Sequence, residues 1–327
     1  MFFLCIGLIT FFLVYNRAIK KPLRTDEDVV SIEVKDGDGF YDVLNRLEEE
    51  GKLSNKFLIK IKLSVDKKNI TLKEGIYKIN SNVTLDELIE DIQDDLNNVN
   101  MIKVTVPEGY SIEEIAGLME EKEICSKQDF IDAVKNYELP KFIEVNEKRR
   151  YNLEGFLYPD TYLIEKGSSA NNIIDKMLKR FNEAIKEAEQ ETGIVIKEDD
   201  IDKLITIASM IEKEASADVD RPLISSVIYN RLDKGMKLQL DATVLYALGE
   251  HIEVVLNRHL EVDSPYNTYK YSGLPIGPIA SPGIECIKAA LLPADTDYLY
   301  YILQKDGTHY FTNSYDDFLA KKKELGY

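Results

Sequence analysis

Two carboxyl groups, Glu212 and Glu214, close a stretch in which Leu204, Ala208, Ile211 and Ala215 recur at i, i+4, i+7 and i+11. That spacing predicts a helix over 201–215 with an apolar stripe facing a core, and Asp199 and Asp200 are suited to its N-cap and first turn. At about 100° per residue Lys213 points away from the stripe, while Glu212 and Glu214 flank it by about 80° on either side. A carboxyl group beside an apolar wall loses hydration when ionised, so its pKa rises and it can hold a proton near neutral pH. A general acid for a glycosidic oxygen needs that property. Helix geometry alone does not choose between the two glutamates.

Other residues could complete such a site. Gln239, Asn267 and Tyr269 carry groups suited to sugar hydroxyls and N-acetyl groups. Glu154, Asp160 and Asp241 could supply the second carboxylate that ordinary glycoside hydrolysis requires. Competing chemistries find less support. Cys5, Cys125 and Cys286 show no CxxC spacing, and His251, His259 and His309 never fall at i, i+4, so neither a disulfide framework nor a metal site is expected. No cofactor is expected either. Ser64-Val65-Asp66-Lys67 matches SxxK formally, but SDN, KTG and GxSxG are missing. With 41 basic against 58 acidic residues the net charge is -17, which repels phosphate backbones and argues against a nucleic-acid partner. A neutral or mixed-charge glycan fits better.

The elements that must position these groups form an α+β chain of 327 residues, 44% hydrophobic, enough for two or three domains. Residues 2–15 are an apolar run of 14, short of the roughly 20 that span a bilayer, followed by Arg17, Lys20, Lys21 and Arg24. We read residues 1–24 as a membrane anchor whose helix is completed by residues upstream, although basic residues after the run would alone favour the opposite orientation. From Ser31 to Gly37 apolar and polar residues alternate up to a glycine, and Phe40, Val43, Leu44 and Leu47 follow at helical spacing. The same pattern returns about 72 residues later. Val104-Thr105-Val106-Pro107-Glu108-Gly109 precedes Ile112, Ile115, Ala116 and Met119, with Leu53 and Phe57 matched by Ile124 and Phe130. Between the copies, 72–79 reads as a strand pair and Leu85, Leu88, Ile89 and Ile92 as a helix. The expected domains are 25–100, a small α+β unit; 101–148, a second such unit; and 149–327, a larger α+β domain holding the candidate chemistry.

The string Ile207-Ala208-Ser209-Met210-Ile211-Glu212-Lys213-Glu214 resembles the Ala-Ser-x-Ile-Glu-Lys-Glu motif of the MltG (YceG-like) family of endolytic murein transglycosylases. Further strings follow in the family's order: Leu153-Glu154-Gly155, Val227-Ile228-Tyr229-Asn230-Arg231-Leu232, Gln239-Leu240-Asp241, Tyr266-Asn267-Thr268-Tyr269, Gly273-Leu274-Pro275, Ser281-Pro282-Gly283 and His309-Tyr310-Phe311-Thr312-Asn313. A common family form reads Gln-Thr/Ser-Asp-Pro-Thr-Val where this chain has Leu240 and Ala242. The resemblance implies that Glu214 is catalytic, and Glu154, Gln239, Asp241, Asn267 and Tyr269 are read as substrate-binding from their side-chain chemistry. The resemblance further implies cleavage of the MurNAc-GlcNAc β-1,4 bond inside nascent peptidoglycan strands, leaving 1,6-anhydroMurNAc ends. An extracytoplasmic domain tethered to the cytoplasmic membrane and partnership with peptidoglycan synthases go with it. The segment Val106-Pro107-Glu108-Gly109-Tyr110-Ser111 resembles a LysM module, which binds N-acetylglucosamine-containing glycans. A muramidase-type hydrolase and a non-catalytic peptidoglycan-binding scaffold are the alternatives.

Overall fold

The computed structural model describes residues 2–35, 37–68, 70–94, 97–99, 101–165, 167–249, 252 and 256–326, without the side chains of 2–9, 101 and 165. The Cys5 side chain, Asp36 and His251 therefore lie outside the described residues. The protein is mixed α+β and divides into two compact units, 1–102 and 103–327.

The first unit holds α1 (Phe2–Lys20), β1 (Val29–Val34), α2 (Phe40–Glu49), α3 (Lys56–Asp66), β2 (Gly75–Asn80), α4 (Leu85–Asp91) and β3 (Asn98–Val99). The expected alternation is present in β1, where Val30, Ile32 and Val34 are buried and their neighbours exposed. Segment 72–79 yields one strand rather than a pair. It is β2, which lies antiparallel to β1 from Val29↔Asn80 to Val34↔Gly75 and pairs with β3 on its other edge. Val43, Leu44, Ile59, Tyr77 and Leu88 fill the core beneath this sheet. Helix α4 starts at Thr84, whose side chain accepts from Glu87 N–H while the Glu87 carboxylate accepts from Thr84 N–H, satisfying donors that a helix end leaves open. On α1, Phe11, Phe12 and Leu13 are exposed. Among the described residues no helix is long and apolar enough to cross a membrane.

The second unit contains β4 (Met101–Thr105), α5 (Ile112–Glu121), α6 (Lys127–Asn136), β5 (Thr161–Glu165), α7 (Ala170–Thr192), α8 (Ile201–Glu214), α9 (Arg221–Asp233), α10 (Asp241–Leu248), α11 (Ile284–Leu291), β6 (Tyr300–Leu303), β7 (His309–Thr312) and α12 (Tyr315–Leu325). The sequence repeat is structural to this extent: both copies run strand, helix, helix, and in each the strand pairs with the next one along the chain, β1 with β2 and β4 with β5. Leu53 and Ile124 are both buried as matched, whereas Phe130 is fully buried and its counterpart Phe57 is 71% exposed, with Ile59 buried on the same helix instead. The divide between the two units lies at 102/103. No divide separates 101–148 from 149–327, because β4 pairs with β5 and Ile112 N–H donates to Glu154 Oε1 at 3.0 Å.

Helix α8 departs from the predicted stripe. From Ile201 to Ile211 every residue except Lys203 is buried, since α9, α10 and α11 all pack against it. Asp200 does not cap it: a short 3-10 turn, Glu198–Asp200, leads in, so Asp200 is already near-helical and its side chain makes no cap bond. The polar residues on this helix are satisfied internally. Thr206 Oγ1 donates to Asp202 O at 2.9 Å, and Ser209 Oγ donates to Thr206 O while accepting from Ile279 N–H at 3.1 Å. Gly155, at φ +85°, lies against the same helix. A Cβ there would stand 2.5 Å from Pro278 Cβ and 2.9 Å from Ile205 Cγ2, so only glycine fits this approach.

Candidate active site

At its C-terminal turn α8 leaves the core, and the two glutamates part company. Glu212 Oε2 accepts from Gly283 N–H at 2.9 Å, and Lys213 between them is exposed, its Nζ donating to Gly109 O at 3.2 Å. Glu214 is half-buried on the other flank, where Tyr301 OH on β6 donates to its Oε2 at 2.9 Å. Burial pushes the Glu214 carboxyl up to about 7, and the nearby Asp241 charge adds to the rise. The Tyr301 hydroxyl, the Ala242 main-chain N–H and the Arg231 guanidinium act in the opposite direction. A carboxyl in this state exchanges a proton at neutral pH without a large penalty in either direction.

Around it stand side chains from β6, α9, α10 and the loop that carries Tyr269. Asp241 opens α10 and accepts from Tyr269 OH at 2.5 Å. Arg231, at the end of α9, is held by three main-chain acceptors, Nε to Leu299 O at 2.6 Å and Nη1 to Leu238 O at 2.7 Å and Lys237 O at 3.3 Å. Gln239 is exposed and adopts a left-handed backbone at φ 54°. The turn that carries Gln239 and Asp241 is stitched to Thr268. Gln239 N–H donates to Thr268 O, Leu240 N–H donates to Thr268 Oγ1, and the Thr243 and Thr268 hydroxyls lie 2.9 Å apart.

The sequence profile of the YceG-like family matches residues 32–324. The chain belongs to the YceG-like family. An endolytic murein transglycosylase of Bacillus subtilis (strain 168) is 33% identical over an alignment of 318 positions that covers 92% of this chain and 86% of that protein. The endolytic murein transglycosylase of Streptococcus pneumoniae (strain D39) is 29% identical over an alignment of 316 positions that covers 88% of this chain but 57% of its own length. The solved structure of a YceG-like protein from Listeria monocytogenes superposes with a TM-score of 0.61 at 32% identity, covering 91% of this chain and all of that one.

Of the site residues expected in this YceG-like chain, Glu214, Asp241, Tyr269 and the Gln239 turn come together. Glu154 and Asn267 are instead fully buried, each held by hydrogen bonds inside the fold. Asn267 is fully buried: its Nδ2 donates to Leu260 O and Val262 O at 2.8 Å, and its Oδ1 accepts from Tyr269 N–H. It shapes the loop that presents Tyr269. Glu154 is also fully buried, bridging the start of α5 through Ile112 N–H to α10 through Tyr246 OH at 2.7 Å. Asp160 serves a turn, accepting from Arg180 Nε at 2.6 Å and from Thr161 N–H. Tyr301 and Arg231 were not singled out from sequence. The run Tyr300-Tyr301-Ile302-Leu303 is rich in strand-forming residues, but which of its faces meets α8 is not local information.

Burial pushes Glu154 up to about 7 as well, from 4.5, with Tyr246 and Ile112 opposing the rise. A folded-state pKa above the unfolded one means that the folded state binds more protons between the two values. The associated stability is full below 4.5 and is lost as pH rises through 7, a loss of about 3 kcal/mol. Glu154→Gln keeps an acceptor for Ile112 N–H and removes the titration. Urea unfolding at pH 5 and pH 8 should therefore show a pH-dependent loss smaller by about 2.5 kcal/mol than in the parent. An unchanged difference between the two pH values would refute this account of Glu154.

Proposed function

We propose that this protein is a lytic transglycosylase that cleaves the MurNAc-GlcNAc β-1,4 bond inside nascent peptidoglycan strands, with Glu214 as general acid and then base. The observation that carries the reading is the Glu214 carboxyl itself, half-buried at the end of a rigid core helix and titrating near neutrality. The curated relatives named endolytic murein transglycosylase support the same substrate. Glu214 gives its proton to the departing GlcNAc oxygen as the bond to the muramoyl anomeric carbon breaks. The carboxylate so formed takes the proton of the muramoyl 6-hydroxyl, whose oxygen closes on the anomeric carbon to give the 1,6-anhydro end. The proton balance closes on one residue and no water is consumed. Gln239, Asp241 and Tyr269 lie where they can contact the sugars, and Arg231 places a positive charge near the carboxylate between the two steps.

A hydrolytic muramidase is the second reading, and Asp241 is what favours it. Of the three carboxylates that could assist hydrolysis, Glu154 is buried in a structural bridge and Asp160 is paired with Arg180, while Asp241 lies close enough to raise Glu214 electrostatically. Digestion of purified glycan strands, with the new ends identified by mass, separates these possibilities. Anhydro ends that vanish with Glu214→Gln support the transglycosylase, and reducing muramic acid ends support the hydrolase. No cleavage by the parent protein favours a binding scaffold.

The reading extends to placement. The exposed Phe11, Phe12, Leu13 and Val14 of α1 support attachment to the cytoplasmic membrane, and the relatives named endolytic murein transglycosylase, whose substrate lies outside that membrane, support a second unit outside it. The strand, helix, helix, strand arrangement of the 101–165 segment supports a LysM-like glycan contact. Peptidoglycan synthases are the partners this placement suggests.

A further inference from the structure

The hydroxyl of Tyr301 is placed with more care than a core tyrosine needs. Strand β6 is anchored at its start by Arg231 Nε to Leu299 O, and the preceding segment by Asn230 Nδ2, which donates to Thr296 O at 2.8 Å and Tyr298 O at 3.0 Å. Its partner β7 is pinned by Asp220, a buried carboxylate whose Oδ2 lies 2.8 Å from both the main-chain N and the ring Nδ1 of His309. The His309 ring meets the Tyr301 ring edge-on, with centroids 5.4 Å apart and planes at 89°, and Phe311 lies 5.9 Å away. These supports come from α9, the turn before it and β7. With its ring held this way, the tyrosine delivers its hydroxyl to Glu214 Oε2 at 2.9 Å.

We propose that Tyr301 is a positioning residue that occupies Glu214 Oε2 and so directs the transferred proton to Oε1, an inference that rests on the acid and base role of Glu214 given above. A carboxyl group has two oxygens that can carry the proton, and a donor fixed on one of them assigns the proton to the other. The same bond persists when the group ionises, so the oxygen that gives the proton to the leaving group is the one that takes it from the 6-hydroxyl. Preorganisation of this kind avoids reorientation between the two steps. The groups facing Glu214 from the elements around it are Tyr301 on β6, Arg231 on α9, Asp241 and the Ala242 N–H on α10, and Tyr269 from the loop before α11. Among them Tyr301 is the side chain hydrogen-bonded to the carboxyl.

The test compares the parent protein, Tyr301→Phe, and Tyr310→Phe, which removes a hydroxyl from the same hairpin on a residue whose ring lies under Lys321. Two readouts are taken: the pH profile of glycan-strand cleavage and the NMR titration of carboxyl-labelled glutamate, in which the Glu214 signal is assigned by its loss in Glu214→Gln. Removing a donor to the carboxylate raises its pKa. The Glu214 midpoint in Tyr301→Phe should rise by about one pH unit, and the alkaline limb of cleavage should move up with it. At pH 7, kcat should fall about tenfold with little change in KM, as for an interaction lost mainly in the transition state. Tyr310→Phe should match the parent in both. A Glu214 midpoint that stays in place in a folded Tyr301→Phe protein overturns the inference, as does an equal shift in Tyr310→Phe. The titration needs no activity, so cleavage surviving in Glu214→Gln would refute the catalytic reading separately and leave the Tyr301 bond as a charge-setting contact alone.

Discussion

Glu214→Gln is expected to lower the rate of glycan-strand cleavage by about 10²- to 10⁴-fold, the range for removal of a positioned general acid and base. Its fold should be intact, because the amide keeps an acceptor for Tyr301 OH in the half-buried site. Glu212→Gln is the informative comparison. Glu212 lies two residues away with its Oε2 on Gly283 N–H, and the amide oxygen preserves that contact, so cleavage should fall by no more than a few-fold. Initial rates of fragment release, with thermal melts of all three proteins, decide the matter. If Glu212→Gln were the inactive variant and Glu214→Gln the active one, the assignment of the acid would be wrong.

The largest expected loss of stability lies at the other end of the same helix. Arg149 is buried and gives two bonds to Asp202, Nη1 to Oδ2 at 2.8 Å and Nη2 to Oδ1 at 2.6 Å, while its Nε donates to Ile276 O and its Nη1 also to Glu144 O. It thereby ties the 144–149 turn, the first turn of α8 and the Gly-Leu-Pro loop together. Gly277 makes room for it, since a Cβ there would stand 2.6 Å from Arg149 Nε. Arg149→Ala strands a buried carboxylate and should cost about 3–5 kcal/mol, lowering Tm by on the order of 10 °C. Arg149→Met with Asp202→Leu should recover part of that loss, because an apolar pair avoids the desolvation penalty. A single variant within about 1 kcal/mol of the parent in urea unfolding would show that the pair does not hold the helix as described.

Much of the architecture was legible from local pattern. The alternation in β1 and the helical spacings of α2, α4 and α5 are decided by which side chains must leave water, and the repeat of strand, helix and helix follows from them. Where local reasoning failed, a distant contact had overridden it. Phe57 follows the repeat in sequence but faces solvent, and α8 is buried almost all round because three other helices surround it. Two residues expected at the surface as sugar contacts lie in the interior for one reason. Asn267 and Glu154 are polar, which suggests a surface, yet both are consumed by main-chain groups and hydroxyls that the chain brings to them in the core.

The sequence by itself determined that two glutamates end a helix beside apolar surface and that a set of ordered motifs accompanies them, because helical periodicity and motif order are properties of neighbours along the chain. What distinguishes the two carboxyls came only from the tertiary structure. Glu212 is turned toward the main chain of the Ser281-Pro282-Gly283 loop, and Glu214 is enclosed by Asp241, Arg231 and Tyr301, residues 17 or more positions away. The desolvation and charge that set a pKa depend on what surrounds the group in space, and helix position fixes only the direction in which the group points.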